Sequence, residues 1–253
     1  MADFTREEVE EFASKLIGAD LSGLRLVEAE LSNANLGSVD LSGADLGGAE
    51  LYFANLSYAN LERAMINVAF LSYANLSFAT LTDADLTRSI LKGSNLEKAY
   101  LLRANLTNAS LEEANLESAD LTCANLTNAN LTDADLMEAD LSGANLWGAD
   151  LTFASLLGAN LTGADLSFAN LAGAKFAAAN LSGINFQSSD LRGLDLSDKN
   201  MTGVNLEDAN LTNADLNGAN LSGANLTNAI LDGADFTGAD LTGVKGLPDD
   251  FRV

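Results

Sequence analysis

Between residues 104 and 136 the chain reads ANLTNASLEEANLESADLTCANLTNANLTDADL, with Leu at every fifth position. The same register runs without an insertion from Leu16 to Leu241, and 41 of its 46 positions are Leu. The residue two places before is Ala in 36 of the 46 units, and the residue between the two is usually Asn or Asp. The repeating unit is therefore Ala-(Asn/Asp)-Leu-(Ser/Thr)-Gly.

This order of residues predicts a short extended segment followed by a turn. Ala and Leu two positions apart lie on one side of an extended chain, and the Asn or Asp between them points the other way. Ser, Thr, Gly and Asn favour turns. A turn every five residues winds the chain into a coil with an apolar interior, and such coils stack into a solenoid. An amphipathic helix is disfavoured because a period of five drifts around a helix of 3.6 residues per turn.

The pattern resembles the pentapeptide repeat family over about nine-tenths of the chain. The resemblance implies an all-β, right-handed quadrilateral parallel β-helix with four units per coil, which gives about 11–12 coils for 46 units. At ~4.8 Å per coil, the rod would be roughly 55 Å long. Outward Asn residues spaced by 20 would then form side-chain ladders, as in the column Asn35, Asn55, Asn75, Asn95 and Asn115. The family is especially abundant in bacteria, so a bacterial source is expected.

The chain is expected to divide into a capping helix at 1–18, the β-helix at 19–245 and a tail at 246–253. Thr5 and Glu8 have the spacing of a capping box. They open a run with helical spacing, which predicts a helix from Thr5 to Leu16 over the first coil. Its predicted inner face consists of Val9, Phe12, Ala13 and Leu16. The tail either folds over the last coil or takes part in a homodimer, because family members dimerise through this end.

Composition excludes several classes of function. The chain has 36 acidic and 13 basic residues, a net charge of −23, no His and one Cys. A His-dependent catalytic group, a zinc cluster and an internal disulfide are therefore excluded. No apolar run is long enough to cross a membrane. With no P-loop or dinucleotide motif, we expect no enzyme activity, no cofactor and no metal. The charge disfavours direct nucleic acid binding, and the absence of a signal sequence favours a cytoplasmic location.

The longest run of exceptions to the repeat lies between residues 52 and 103, where aromatic residues occupy outward positions. Spacing by 20 predicts the stacked pairs Phe53 with Tyr73, Tyr58 with Phe78, and Phe70 with Ile90. Aromatic residues with Arg and few acids are typical of binding hot spots. The predicted partner-binding residues are Tyr52, Phe53, Tyr58, Arg63, Phe70, Tyr73, Phe78, Ile90, Tyr100 and Arg103. The alternative is that these ladders only stabilise the sheet, which is the interpretation favoured for a smaller set, Trp147, Phe153 and Phe168.

Two further departures concern charge and core volume. The acidic candidates are Glu113, Asp120, Asp133, Asp140, Asp195, Asp215 and Asp235, several of them stacked by the spacing of 20. Stacked carboxylates should have raised pKa values or attract cations, although a merely solvated surface is the simpler reading.

The core positions with unusual side chains include Phe176, Phe186, Lys199 and Met201. Larger inward side chains need a wider coil or a bulge, so a bend or seam is predicted there. Lys199 is expected either to extend its ammonium to solvent or to lie in a bulge.

Three functions remain open at this stage. The leading hypothesis is a rigid, non-catalytic protein that binds an unidentified protein, or itself, through residues 52–103. The resemblance adds a second one, because some pentapeptide repeat proteins mimic DNA and bind DNA gyrase, causing inhibition or quinolone protection. A DNA duplex of the same length carries roughly 32 charges, the same order as −23 here, but the loop insertions frequent in those relatives are missing. The third is a purely structural rod.

Overall fold

The computed structural model describes residues 4–247 and 251, and almost all of it is one repeating coil. Parallel β-bridges join residues 20 apart, from Asp20 with Asp40 to Asn225 with Lys245. Each coil therefore contains four five-residue units, as the family resemblance implies, and the fold is a four-sided parallel β-helix. Each unit contributes a single bridge residue on its side of the rod, so no longer strand forms in the described part of the chain.

A sharp turn forms each corner of the square. Every fifth residue from Gly18 to Gly243 has a positive φ. In each turn an amide donates a hydrogen bond to the Leu carbonyl three residues before, as Ala29 does to Leu26 at 3.1 Å. A positive φ at the third residue together with this hydrogen bond defines a type II turn. More corner residues are non-glycine than glycine, so the sequence accepts conformational strain at many corners.

Backbone hydrogen bonds and buried side chains hold the coils together. The Leu21 amide donates to the Asp40 carbonyl at 2.7 Å, and the Asp40 amide donates back to the Ala19 carbonyl at 2.9 Å. Inside, Leu stacks on Leu and Ala on Ala, and these side chains are almost fully buried from Leu26 to Leu171. Burying one Leu contributes about 1.5–3 kcal/mol, so the filled core is the main stabilising element.

The predicted Asn column is present as a hydrogen-bonded ladder. The Nδ2 of Asn55 donates to Oδ1 of Asn35 at 3.1 Å, and the same contact continues through Asn75 and Asn95 to Asn115. From Asn55 to Asn115, each Oδ1 of this column also accepts the amide two residues later, as Asn55 does from Ser57 at 3.2 Å. One side chain thus fixes its own turn and ties two coils together.

The N-terminal helix is shorter than predicted. Helix α1 spans Arg6–Glu11, and a 3-10 turn at Ala13–Lys15 follows it. The predicted capping box is present, since the Thr5 side chain accepts the Glu8 amide and the Glu8 carboxylate accepts the Thr5 amide. Val9 and Leu16 are buried, but Phe12 is 42% exposed. The prediction for Phe12 was wrong because the helix ends at Glu11, and the change of spacing turns this side chain outward.

Polar contacts fasten helix α1 to the open edge of the first coil. The Glu10 carboxylate accepts the Arg6 guanidinium at 2.7 Å and the Glu30 amide at 3.0 Å. The guanidinium in turn donates to the Glu28 carbonyl at 2.6 Å. Backbone groups that would otherwise lack a partner at the end of the solenoid are thereby satisfied. At the other end, the ring of Phe251 packs edge-on against Phe236 at 5.3 Å, so this residue of the tail covers the last coil.

The region with unusual core residues contains a break in the ladder, here called the seam (residues 171–204). In this part of the described chain, the repeat requires bridges of Lys175 with Asp195 and of Asn180 with Asn200, and both are missing. Leu194 and Lys199 are large side chains at Ala positions of the second of these two coils. That coil therefore cannot pack closely against the preceding one.

The core side chains of the seam adapt to the larger volume without a bulge at Lys199. The rings of Phe176 and Phe186 lie perpendicular, with centroids 6.5 Å apart, and Met201 is buried beside them in the core. Lys199 is half-buried and extends its Nζ to the Ser197 carbonyl at 3.1 Å. The turn around it keeps the positive φ of the regular corners at Asp198, so the ammonium extends outward from a normal turn.

Candidate interaction surface

The corner residues form four columns along the rod, which we name after Phe53, Tyr58, Arg63 and Val68. These four residues occupy successive corners of one coil, and their column members follow at intervals of 20. The Phe53 and Tyr58 columns are neighbours, whereas the Arg63 column lies diagonally across the square from the Phe53 column. This arrangement decides which of the predicted site residues can act together.

Aromatic rings stack along two neighbouring corners of the rod. Phe53 stacks on Tyr73 with ring centroids 5.2 Å apart, and Tyr58 stacks on Phe78 at 4.9 Å. Both pairs were predicted from the spacing of 20. The rings are nearly parallel, at 11° and 5°, and such pairs contribute about 0.5–1.5 kcal/mol beyond the buried area. Between them runs the side with the Asn35–Asn115 ladder, so two apolar columns flank a polar one.

A third group extends the apolar area onto the next side. Phe70 bridges Ile90, as predicted, and its ring also stacks on Tyr52 with centroids 5.6 Å apart. The Tyr52 contact was not anticipated because these residues are 18 apart, although every unit places two outward positions on the same side. We call the combined set the aromatic surface. It consists of Tyr52, Phe53, Tyr58, Phe70, Tyr73, Phe78 and Ile90.

The remaining predicted partner-binding residues lie elsewhere. Arg63 and Arg103 belong to the column diagonally across from Phe53, where both flank Asp83. The Arg103 guanidinium binds the Asp83 carboxylate with two contacts of 2.7 Å, which lowers the pKa of Asp83. Tyr100 lies on the side between the Tyr58 and Arg63 columns and is 53% exposed. The sequence alone grouped these residues by position in the chain, whereas the square cross-section separates them.

The aromatic residues at these corners hold a strained backbone conformation. Phe53, Tyr58, Tyr73 and Phe78 have φ values of 58–60°. A left-handed conformation costs about 1–2 kcal/mol for a residue with a side chain, and Gly fills the same position in many other units. Despite this cost, Phe53 and Tyr58 are each 60% exposed and Tyr73 is 50% exposed. Strain and exposed apolar area therefore coincide on the aromatic surface.

Both aromatic ladders end at the coil that contains Gly93 and Lys98. The Tyr73 ring lies over Gly93, where an added Cβ would come within 2.6 Å of the ring. The Lys98 ammonium lies 5.5 Å from the centre of the Phe78 ring and 2.8 Å from the Glu97 carboxylate. The hydrogen bond from this ammonium to Glu97 raises the pKa of Lys98. Beyond these residues the same two corners become acidic.

The acidic residues behave differently from the expectation. Asp120 bridges Asp140, and Asp195, Asp215 and Asp235 form one column, as the spacing predicts. The pKa values of Asp195 and Asp235 are nonetheless lowered, since each carboxylate accepts hydrogen bonds from the residue two positions later. The expected rise was wrong for these two because local Ser197 and Thr237 donors outweigh repulsion along the column. Within the described residues, no group of three or more Asp, Glu or Cys has metal-binding geometry.

A model of pentapeptide repeats matches eight copies between residues 14 and 243. The chain belongs to the pentapeptide repeat family. HetL, a pentapeptide repeat protein involved in heterocyst differentiation regulation from the cyanobacterium Nostoc sp. strain PCC 7120, is 34% identical over 95% of this chain and 98% of its own, with a TM-score of 0.59. No curated protein matched.

Two other family structures superpose less well. QnrB1, a plasmid-mediated fluoroquinolone resistance protein, is 18% identical over 68% of this chain and 86% of its own, with a TM-score of 0.41. A pentapeptide repeat protein from the Arabidopsis thaliana thylakoid lumen is 35% identical over 44% of this chain and 66% of its own, with a TM-score of 0.27. Neither likeness bears on the function. Within residues 4–247 and 251, no helix has the length and apolar character needed to cross a bilayer.

Proposed function

We propose that this pentapeptide repeat protein is a non-catalytic rod that binds a protein partner through the aromatic surface. The observation that carries the proposal is the placement of exposed, stacked aromatic rings at strained corners. Gly would remove the strain at those corners and Ser or Asn would remove the apolar area, as both do elsewhere in the chain. Exposed apolar patches mark interaction surfaces.

The family and the fold support this role. Pentapeptide repeat proteins are generally structural or interaction proteins. A rigid solenoid loses little conformational freedom when it binds, which favours affinity. The likeness to HetL, a protein described by its part in a regulatory process, favours a regulatory interaction. The expected cytoplasmic location stays a prediction.

The test is capture from a lysate of the source cell with two matched variants. In Phe53→Ser/Tyr73→Ser the aromatic surface loses one ladder, while Ser is tolerated at the same corner position in Ser38 and Ser118. The control, Phe153→Ser/Phe168→Ser, removes two other rings that are 60% and 54% exposed at equally strained corners. We expect the first variant to lose a specific partner that wild type and control retain.

Two other results would contradict the proposal. Capture of a gyrase subunit by all three proteins would favour the DNA-mimic hypothesis, because that mode depends on shape and charge along the whole rod. Equal recovery of every protein on all baits would favour a structural rod. Circular dichroism and thermal unfolding of each variant confirm that a lost partner does not reflect a lost fold.

A further inference from the structure

The aromatic surface continues into an acidic region along the same two corners. The Phe53 column reads Phe53, Tyr73, Gly93, Glu113 and Asp133, and the Tyr58 column reads Tyr58, Phe78, Lys98, Ser118 and Glu138. Over these coils, one side of the rod therefore changes from apolar to acidic in the direction of the C-terminus, and Phe153 follows in the Phe53 column. Glu113, Asp133 and Glu138 are all exposed.

At this level the acidic residues occupy three of the four sides of the rod and leave one side uncharged. Across the same coils, the Val68 corner and the side between the Arg63 and Val68 columns carry only uncharged residues. These are Asn105, Thr107, Asn108, Asn125, Thr127 and Asn128. A carboxylate surface needed only for solubility would have no reason to avoid that side. Glu113, Asp133 and Glu138 lie directly below the aromatic ladders, whereas Asp120 and Asp140 lie on the neighbouring side.

The nearby basic residues do not neutralise the whole acidic region. Lys92 pairs with Glu113 at 3.1 Å, and Lys98 pairs with Glu97 at 2.8 Å. Among the described residues, Asp133 and Glu138 have no ion pair. Their charges are therefore available to a bound cation, and their distance from the aromatic rings follows from the coil spacing. Tyr73 and Asp133 are three coils apart, or about 14 Å.

We infer that the partner presents an amphipathic, basic segment in which an apolar cluster is followed, about 14 Å away, by Lys or Arg residues. The inference rests on the proposed function and adds the chemistry and orientation of the partner. The apolar cluster packs on Phe53, Tyr73 and the neighbouring rings, and the cations face Asp133 and Glu138. Electrostatic complementarity of this kind sets the orientation of a complex and speeds its formation.

Selection from a phage-displayed library of random peptides tests this inference without knowledge of the natural partner. Peptides are selected on wild type and counter-selected on Phe53→Ser/Tyr73→Ser. We expect the surviving peptides to combine aromatic or aliphatic residues with a Lys or Arg cluster at one end. Survivors without enriched Lys or Arg would overturn the inference, as would the recovery of no selective peptide.

A charge-matched pair of variants separates local attraction from the overall charge of the rod. Asp133→Asn/Glu138→Gln should weaken binding of the selected peptides about fivefold, and less at high salt, since exposed ion pairs are modest and screened. Asp215→Asn/Asp235→Asn changes the net charge equally but lies several coils away, so it should leave affinity unchanged. Equal weakening by both pairs of substitutions would show that the overall charge of the rod causes the attraction, and it would overturn the inference. The proposed function would still stand if the lysate partner is lost only with the aromatic variant.

Discussion

The regular coils at residues 101–170 and the seam at 171–204 have the same four-sided coil, but they differ in core burial and in the completeness of their bridges. In the regular coils the inward Ala and Leu residues are at most 1% exposed, whereas Ala174 and Ala179 in the seam are 7% and 9% exposed. The regular coils have an unbroken ladder, and the seam lacks two of the bridges that the described repeat requires. The difference teaches that Leu194 and Lys199 are too large for the coil spacing at the Ala position, whereas Ile184 and Val204 leave the bridge of Asn185 with Asn205 intact.

The seam also borders a cavity. Leu157, Ala174, Lys175, Phe176, Ala177 and Asp195 surround a half-open cavity of about 240 Å³. The Ala positions above it hold Leu194 and Lys199, whose volume separates the coils. Local stability in such a repeat protein depends on the contact of each coil with its neighbours. The seam should therefore be the least stable interface of the rod.

The largest expected contrast is between core substitutions in the two regions. Leu131→Ala in the regular coils should destabilise the protein by about 2–5 kcal/mol, because the fully buried side chain leaves a cavity. Phe176→Leu in the seam restores the consensus residue and should change stability by less than about 1.5 kcal/mol. Urea unfolding of both variants measures the difference. Similar losses at the two sites would contradict the view that the seam is loosely packed.

Restoring small residues at the Ala positions of the seam should restore its two missing bridges. In Leu194→Ala/Lys199→Ala both positions regain the consensus Ala, so the missing bridges of Asp195 and Asn200 can form. The amides of Phe176 and Leu181 should then exchange with deuterium roughly fivefold more slowly, since each regained hydrogen bond contributes about 1 kcal/mol. The Leu131 amide serves as the internal reference. Unchanged exchange at Phe176 and Leu181 would show that another cause separates the coils.

A matched pair of glycine substitutions compares an aromatic corner with an open seam corner. Gly93 and Gly183 have φ values of 62° and 64°, so an Ala at either position pays the same conformational cost. Only at Gly93 would the new Cβ collide with the Tyr73 ring. We expect Gly93→Ala to be less stable than Gly183→Ala by about 1 kcal/mol, the cost of moving a ring off its preferred rotamer. Tyr73→Ser should abolish that difference in thermal unfolding.

The smallest expected effect concerns two carboxylates of one column, one in the seam and one near the C-terminus. Ser197 lowers the pKa of Asp195 in the seam, and Thr237 lowers that of Asp235 near the C-terminus. A lowered pKa in the folded state stabilises the protein above the unfolded value of about 3.9, and this contribution is lost as pH falls through the folded pKa. Ser197→Ala and Thr237→Ala should each raise the pKa of the neighbouring Asp in an NMR titration. An unchanged pKa would show that the hydroxyl does not cause the lowered pKa of the neighbouring Asp.

The repeat predicted the regular fold well because period, residue size and turn preference all indicate the same structure. It also predicted the stacking of Phe53 on Tyr73 and of Tyr58 on Phe78, since that depends only on the number of residues per coil. The helix length and the orientation of Phe12 were wrong, because the position of a helix end depends on how its polar groups meet the first coil. The pKa of Asp195 was misjudged because a local hydroxyl contact outweighs column repulsion.

By itself the sequence determined a repeating coil with an apolar interior, because a turn every five residues places Ala and Leu on one side of each extended segment. The four units per coil, and with them the columns along the rod, followed from the resemblance to the pentapeptide repeat family. Only the tertiary structure decided which columns are neighbours. The closure of the square sets Phe53 beside Tyr58 and opposite Arg63, and it sets the acidic corners directly below the aromatic ones. It also decided that Leu194 and Lys199 separate two coils, since a side chain is too large only relative to the coil on which it rests.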